Sequence, residues 1–222
     1  MPVESKRRLV IARQLMDDFA QRTGLSGKGG DVNERYLWTD AFAVQAFFGL
    51  AHACAVDSYH GLALKLIDEV HKKLGRFHPN DARKGWISGL SEEQGQKHPT
   101  AGGLRIGKKL AERRHDEPFN ERLEWERDGQ YFHYLTRWIQ SLLQAEQETN
   151  EKRYVVWAAE LLEAGGKFVD RTGSRIRMYW KMSIDLSRPL IKTMGTHDPL
   201  EGLICAVSIL ERVPEKHHNL SQ

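Results

Sequence analysis

Apolar and polar positions alternate between two kinds of helical segment along this chain. From Glu4 to Gln21, the apolar residues Leu9, Ala12, Met16 and Phe19 recur three or four positions apart. Arg7, Arg8, Arg13, Asp17 and Asp18 lie between them, which predicts an amphipathic, outward-facing helix. Arg35 to Ala53 is apolar on almost every face, and a helix of that kind must be buried on all sides. About Tyr59 to Leu74 the stripe returns as Tyr59, Leu62, Ala63, Leu66, Ile67, Val70 and Leu74, with Lys65, Asp68, Glu69, Lys72 and Lys73 turned to water. His71 reads as part of that exposed side. Gln130 to Ala145 predicts another apolar-rich helix. Lys152 to Ala164 predicts a one-sided helix stopped by Gly165-Gly166, where glycine commonly ends a helix. Asp198-Pro199 then opens a last helix, Leu200 to Leu210, apolar all round and with proline in the first turn.

Between these segments the pattern breaks. Gly24 to Gly30 carries four glycines and reads as a flexible turn; no apolar strand precedes it to make a phosphate cradle. Gly75 to Gly129 contains Pro79, Pro99 and Pro118 and no long periodic stretch. A connection of about fifty residues exceeds ordinary loops, so it reads as a structured, functional excursion with a short helix near Lys108 to Arg114. Arg175 to Leu186 reads as an irregular or short helical approach, and Pro214 to Gln222 as a polar, frayed tail. No segment alternates with period two. The expected fold is all-α: a single domain over 1–222, with helical hairpins arranged as a partial (α/α) toroid or solenoid in which buried inner helices alternate with outer ones.

Composition narrows the function classes. Among 222 residues, 33 basic side chains against 30 acidic give a formal charge of +3. Nucleic-acid binding would want Lys and Arg gathered on one face. The nearest cluster, Lys108-Lys109 with Arg113-Arg114, is interrupted by Glu112 and followed by Asp116 and Glu117, so no nucleic-acid partner is expected. No run approaches the ~20 apolar residues of a membrane span, and no membrane partner is expected. Two cysteines, Cys54 and Cys205, sit inside apolar helical runs, which suits core residues in a cytoplasmic protein better than a disulfide framework. The ten histidines form neither His-Glu-x-x-His nor another short metal-ligand spacing, so neither metal nor cofactor is expected. Gly102 to Lys109 has the glycine and lysine spacing of a P-loop, but Lys109 stands where Ser or Thr should be and the strand context is missing. The pattern specifies no oligomeric state.

Three charged approaches lead into apolar helices: Arg35-Tyr-Leu-Trp-Thr-Asp40, Asp128-Gly-Gln-Tyr-Phe-His133-Tyr and Met194-Gly-Thr-His197-Asp198-Pro199. Together with the buried and outer alternation, they resemble the six-hairpin glycosidase-like superfamily, which includes N-acylglucosamine 2-epimerase-type sugar isomerases and many glycoside hydrolases. The resemblance implies an (α/α)6 barrel whose sugar pocket is lined by residues just before the inner helices. A full toroid has about twelve helices, and at ~12 residues per helix plus loops this chain would hold about half of them, as a fragment or incomplete ring.

The candidate residues follow from these approaches. Glu124 and Asp128 would share one face if Glu124 to Gln130 were helical, close enough to divide acid and base roles. Glycoside hydrolysis needs such a pair, ~5 Å apart for retention or roughly 6.5 to 9.5 Å for inversion. Asp40 is a further catalytic carboxylate and Asp198 a substrate-binding one, each with helix capping as the competing reading. His133 falls on a polar strip with Thr136, Arg137 and Gln140, able to face a cavity; His197 is the second candidate for proton transfer or orientation. Arg35 and Arg105 would clamp ligand oxygens, and His98 would sit with Arg105 at the pocket rim. Tyr36, Trp38, Trp125, Tyr131 and Trp180 would supply aromatic faces that stack on sugar rings. The expected function is a carbohydrate-active enzyme, or part of one, acting on a sugar or glycoside by general acid/base chemistry as hydrolase or epimerase. The alternative is a non-catalytic helical scaffold that binds a protein or small ligand.

Overall fold

The apolar stripes become helices close to where their spacing puts them. The computed structural model describes residues 3–27, 35–193 and 195–213; residues 28–30 of the glycine-rich turn, Met194 and the tail 214–222 lie outside the described residues. In chain order the long helices are α1 (Val3–Arg22), α2 (Leu37–Cys54) and α3 (Asp57–Leu74). Two short helices follow, α4 (Glu92–Lys97) and α5 (Glu121–Glu126), and then α6 (Phe132–Thr149), α7 (Arg153–Gly165) and α8 (Asp198–Leu210). The described residues are mostly helical, and none of their helices is long and apolar enough to cross a membrane.

The helices pack in two layers. In one layer α2 lies against α6, and α6 against α8; in the other, α1 and α3 cover α2 while α7 covers α6 and α8. The core between them is apolar. Leu37, Val44 and Phe47 of α2, Leu66 and Val70 of α3, Trp138 and Leu142 of α6 and Ala158 and Leu161 of α7 have no exposed surface. Burying one such aliphatic side chain contributes about 1.5–3 kcal/mol. Helix α1 contributes only its half-buried stripe, with Phe19 meeting the Phe47 ring at 6.2 Å.

Contacts between first turns show that α2, α6 and α8 start at the same end of the layer. The Tyr36 and Tyr134 hydroxyls lie 2.6 Å apart. The Trp38 and His133 rings are 5.6 Å apart, and the Thr136 hydroxyl donates to Glu201 Oε2 at 2.8 Å. The segments leading into α2 and α6 are thereby gathered beside the start of α8.

The excursion from Gly75 to Gly129 is held by buried polar groups rather than by periodic packing. Gln130, fully buried, accepts from the Leu104 N–H at 2.9 Å and donates to the carbonyls of Gly102 at 3.0 Å and Ile184 at 2.6 Å. Gly103, at φ +79°, lies so close that a Cβ there would meet Gln130 Oε1 at 2.1 Å. Only glycine fits both that conformation and that approach. Short helices α4 and α5 are capped by Ser91 and Asn120, whose side-chain oxygens accept from the N–H groups of Gln94 and Leu123.

Several expectations change. No helix forms between Lys108 and Arg114; instead Leu110 pairs in parallel with Arg127, and the two short helices of the excursion lie before and after that stretch. Strands do occur, each too short to show period two. β1 (Gln130–Tyr131), β4 (Lys181–Met182) and β5 (Pro189–Ile191) form one antiparallel sheet, and β2 (Val169–Asp170) pairs with β3 (Arg177–Met178). The stretch Arg175 to Leu186 takes the irregular of its two expected forms, as β3, β4 and turns, rather than the short helical one. His71 is buried, 3% exposed, because it stands four positions after Ile67 on the same face; its Nε2 accepts from the Trp138 indole N–H at 3.0 Å. Helix α8 is buried on one face only, through Cys205 and Ile209, and exposes Leu200, Leu203, Ile204, Val207 and Leu210.

Candidate functional site

The common end of α2, α6 and α8 carries an aromatic wall built from segments far apart in sequence. Trp38 lies in the first turn of α2, Trp125 in α5, Tyr131 in β1, His133 and Tyr134 in the first turn of α6, and Trp180 just before β4. Trp125 meets Trp180 at 4.8 Å between ring centroids and Tyr131 at 6.4 Å. Tyr131 meets Trp180 at 5.8 Å and His133 at 5.3 Å. Trp38 continues the wall against Tyr134 at 5.0 Å, and Tyr36 closes it through Tyr134 at 5.8 Å. Antiparallel pairing of β1 with β4 places Tyr131 opposite Lys181, which brings Trp180 to the wall. Tyr131 and Tyr134 are buried, Tyr36, Trp38, His133 and Trp180 are half-buried, and Trp125 is 39% exposed, so the wall has a wet side.

Hydrogen bonding fixes His133. The Trp180 indole N–H donates to His133 Nδ1 at 3.2 Å, which assigns the ring proton to Nε2 in the neutral form. Burial pushes its pKa down to about 4, so His133 is a neutral donor through Nε2 at ordinary pH. The polar strip is present beside it. Arg137 donates to Gln140 at 2.7 Å, lies 3.5 Å from Glu201 and passes over the Trp38 and Phe42 rings. Glu201, in the first turn of α8, and Tyr134 belong to the site and have no separate sequence signal beyond their helix positions.

Asp198 is buried, and its Oδ2 has no hydrogen-bond partner among the described residues. Desolvation, helped by Glu201, raises its pKa to about 6, so it titrates near neutrality. The Tyr131 hydroxyl also lacks a partner among the described residues. Asp40 is pushed up to about 6 by burial against the opposing pull of Arg35 and of the Tyr36 N–H, which it accepts at 3.2 Å. His197, by contrast, is exposed at the approach to α8.

The other carboxylates go elsewhere. Helix α5 ends at Glu126 and Arg127 is extended, so Glu124 and Asp128 do not share a helical face. Asp128 is fully buried. One oxygen accepts from Arg105 Nη1 at 2.8 Å, the other from the N–H groups of Gly107 and Gly129 at 3.0 Å each. Glu124, also fully buried, is shared between Arg113 at 2.9 Å and Lys181 at 3.2 Å. Lys181 further donates to the carbonyls of Glu124 and Arg127, and burial pulls its pKa down. Both carboxylates are thus enclosed by cations: the Arg105 and Arg113 pairs lie within the excursion, and Lys181 ties it to β4. Arg105 donates also to the carbonyls of Arg76 and Lys73. His98 is drawn to Glu160 on α7, away from the wall.

Among the described residues, no cluster of three or more His, Cys, Asp or Glu side chains could hold a metal. Comparisons of the chain with protein-family models, curated proteins and solved structures return no match.

Proposed function

We propose that this chain is a carbohydrate-active protein, or part of one, whose ligand is a sugar or glycoside held on the aromatic wall. The observation that carries this reading is the meeting of Trp38, Trp125, Tyr131 and Trp180 around His133 at the start of three apolar helices. Ring faces of this kind pack on the apolar C–H faces of a pyranose, while a few fixed polar groups orient its hydroxyls. The His133 Nε2–H is a donor toward such a hydroxyl or ring oxygen. Asp198, titrating near neutrality, is the group suited to taking or giving a proton. Proton transfer by Asp198 with His133 orienting favours epimerase or isomerase chemistry over hydrolysis by the Glu124 and Asp128 pair, whose oxygens are committed to Arg105, Arg113 and Lys181. The alternation along the chain of α1, α3 and α7 in one layer with α2, α6 and α8 in the other is what a partial (α/α) toroid would have, and the exposed apolar face of α8 fits further hairpins packing there.

A second reading keeps the ligand and drops the reaction. Burial of both Glu124 and Asp128 in ion pairs is what a non-catalytic binding scaffold would show. Isothermal titration against neutral hexoses, N-acetylhexosamines and hexuronates tests the shared claim, with Trp125→Ala expected to weaken binding by about 1–3 kcal/mol, the scale of burying one aromatic side chain. Asp198→Asn then separates the two readings. In an enzyme it abolishes proton exchange at the sugar carbon while binding persists; in a scaffold no exchange occurs in either protein.

A further inference from the structure

Two cavities outside the aromatic wall share one edge. The first, about 450 Å³, lies between the end of α1, the start of α2 and the extended segment 107–110. The second, about 490 Å³, lies between the end of α3 and the same segment. Both are lined by Arg35, Gly107, Lys108 and Lys109, so they form two lobes of one cleft. Its charge is one-sided. The second lobe adds Lys72, Lys73, Arg76, His78 and Arg105, and no aspartate or glutamate lines it among the described residues; the first adds Arg22 against Asp40 and Glu126.

At the junction, Arg35 is 4% exposed and only partly satisfied. Its Nη2 donates to the Thr23 carbonyl at 2.5 Å, whereas Nε and Nη1 have no hydrogen-bond partner among the described residues. The nearest carboxylate oxygen, on Asp40, is 3.7 Å from Nη1, an ion pair too long for a hydrogen bond. A buried guanidinium with two idle N–H sites needs an acceptor, and its fork geometry matches a carboxylate or phosphate. The floor is rigid. Gly107, at φ +93°, is pressed so close that a Cβ would lie 2.0 Å from the Arg35 carbonyl oxygen. That contact holds Lys108 and Lys109 beside Arg35, and Lys108 sits over the Tyr36 ring at 5.7 Å. The glycine-lysine spacing of 102–109 therefore delivers cations to a cleft without the strand and helix of a P-loop.

We propose that this cleft binds a tetrahedral oxyanion, the phosphate or sulfate group of a ligand, with Arg35 as its anchor and Lys72 and Lys108 as flanking cations. The proposal is independent of the sugar reading, because its probe carries no sugar. Titration calorimetry with inorganic phosphate and with inorganic sulfate, at matched ionic strength in chloride, measures it directly on the whole chain. One site of millimolar affinity or tighter is expected for at least one of the two. Phosphate alone binding would identify a phosphorylated ligand, and sulfate alone a sulfated one. Lys72→Gln combined with Lys108→Gln changes side chains at or near the surface and should weaken anion binding about tenfold or more, as removing charges that complement a bound anion does. Arg35→Gln should abolish it; unchanged far-ultraviolet circular dichroism identifies the variant as folded. Absence of binding to either anion overturns the proposal, as does binding that survives the Lys72 and Lys108 double change undiminished.

Discussion

The Trp180 indole N–H donates to Nδ1 of His133 at 3.2 Å, joining the β3–β4 connection to the first turn of α6. This one bond decides which face of the imidazole is left for a ligand. Trp180→Phe keeps the ring and removes the donor. It should convert His133 from a single Nε2–H tautomer to a mixture, read by long-range nitrogen–proton correlation at pH 7. An unchanged tautomer in the variant would show that something other than Trp180 sets it.

Asp198 makes stability depend on pH in a defined direction. Its pKa is raised from 3.8 to about 6, so the folded chain holds more protons than the unfolded one between those values. The stabilising contribution is complete below pH 3.8 and is lost as pH rises through about 6. Asp198→Asn removes this dependence. Scanning calorimetry should find the variant melting higher than the parent at pH 7.5, with the gap closing by pH 3.5. Asp40, also raised to about 6, leaves a similar residual slope in both proteins.

Asp128 tests structure against chemistry. Asp128→Asn leaves Arg105 buried with its charge uncompensated, and breaking a buried pair from one side costs about 3–5 kcal/mol. Urea unfolding should show that loss. Sugar binding at the wall, measured where the variant is folded, should change little, because the carboxylate faces Arg105 and two backbone N–H groups.

Gly107 tests the excursion's closest approach. Gly107→Ala places a Cβ against the Arg35 carbonyl in a left-handed conformation. Strain of that kind costs at least about 1–3 kcal/mol, and a fall in the urea midpoint of that size or larger is expected. No change would mean that the segment moves freely away from α2.

What could be read from sequence and what could not divides along physical lines. Leu66, Ile67 and Val70, or Leu135, Trp138 and Leu142, repeat at helical spacing, and local repetition survives without knowledge of the fold. Aromatic residues at helix starts were legible for the same reason, since Trp38 and Tyr131 sit just where charge gives way to an apolar run. Pairings such as Arg105 with Asp128, Lys181 with Glu124 and Gln130 with Leu104 join residues 23, 57 and 26 positions apart. Such bonds leave no periodic trace, so those carboxylates read as catalytic candidates when the fold uses them as anchors. His71 had a usable signal in its four-residue spacing from Ile67, masked by its polar side chain. Two-residue strands are too short for any alternation to register.

The aromatic wall is the central claim, and the chain's six tryptophans offer a direct test of it. Trp38, Trp125 and Trp180 belong to the wall. The other three lie elsewhere: Trp138 donates to His71, Trp157 donates to the Lys97 carbonyl, and Trp86 is buried beneath Arg76. Indole N–H resonances assigned by single Trp→Phe substitutions can be followed while hexoses, N-acetylhexosamines and hexuronates are added. The account predicts that at least one sugar shifts Trp38, Trp125 and Trp180 in a common saturable curve and leaves Trp86, Trp138 and Trp157 in place. Sugars that move none of the six, or move only the other three, would contradict it.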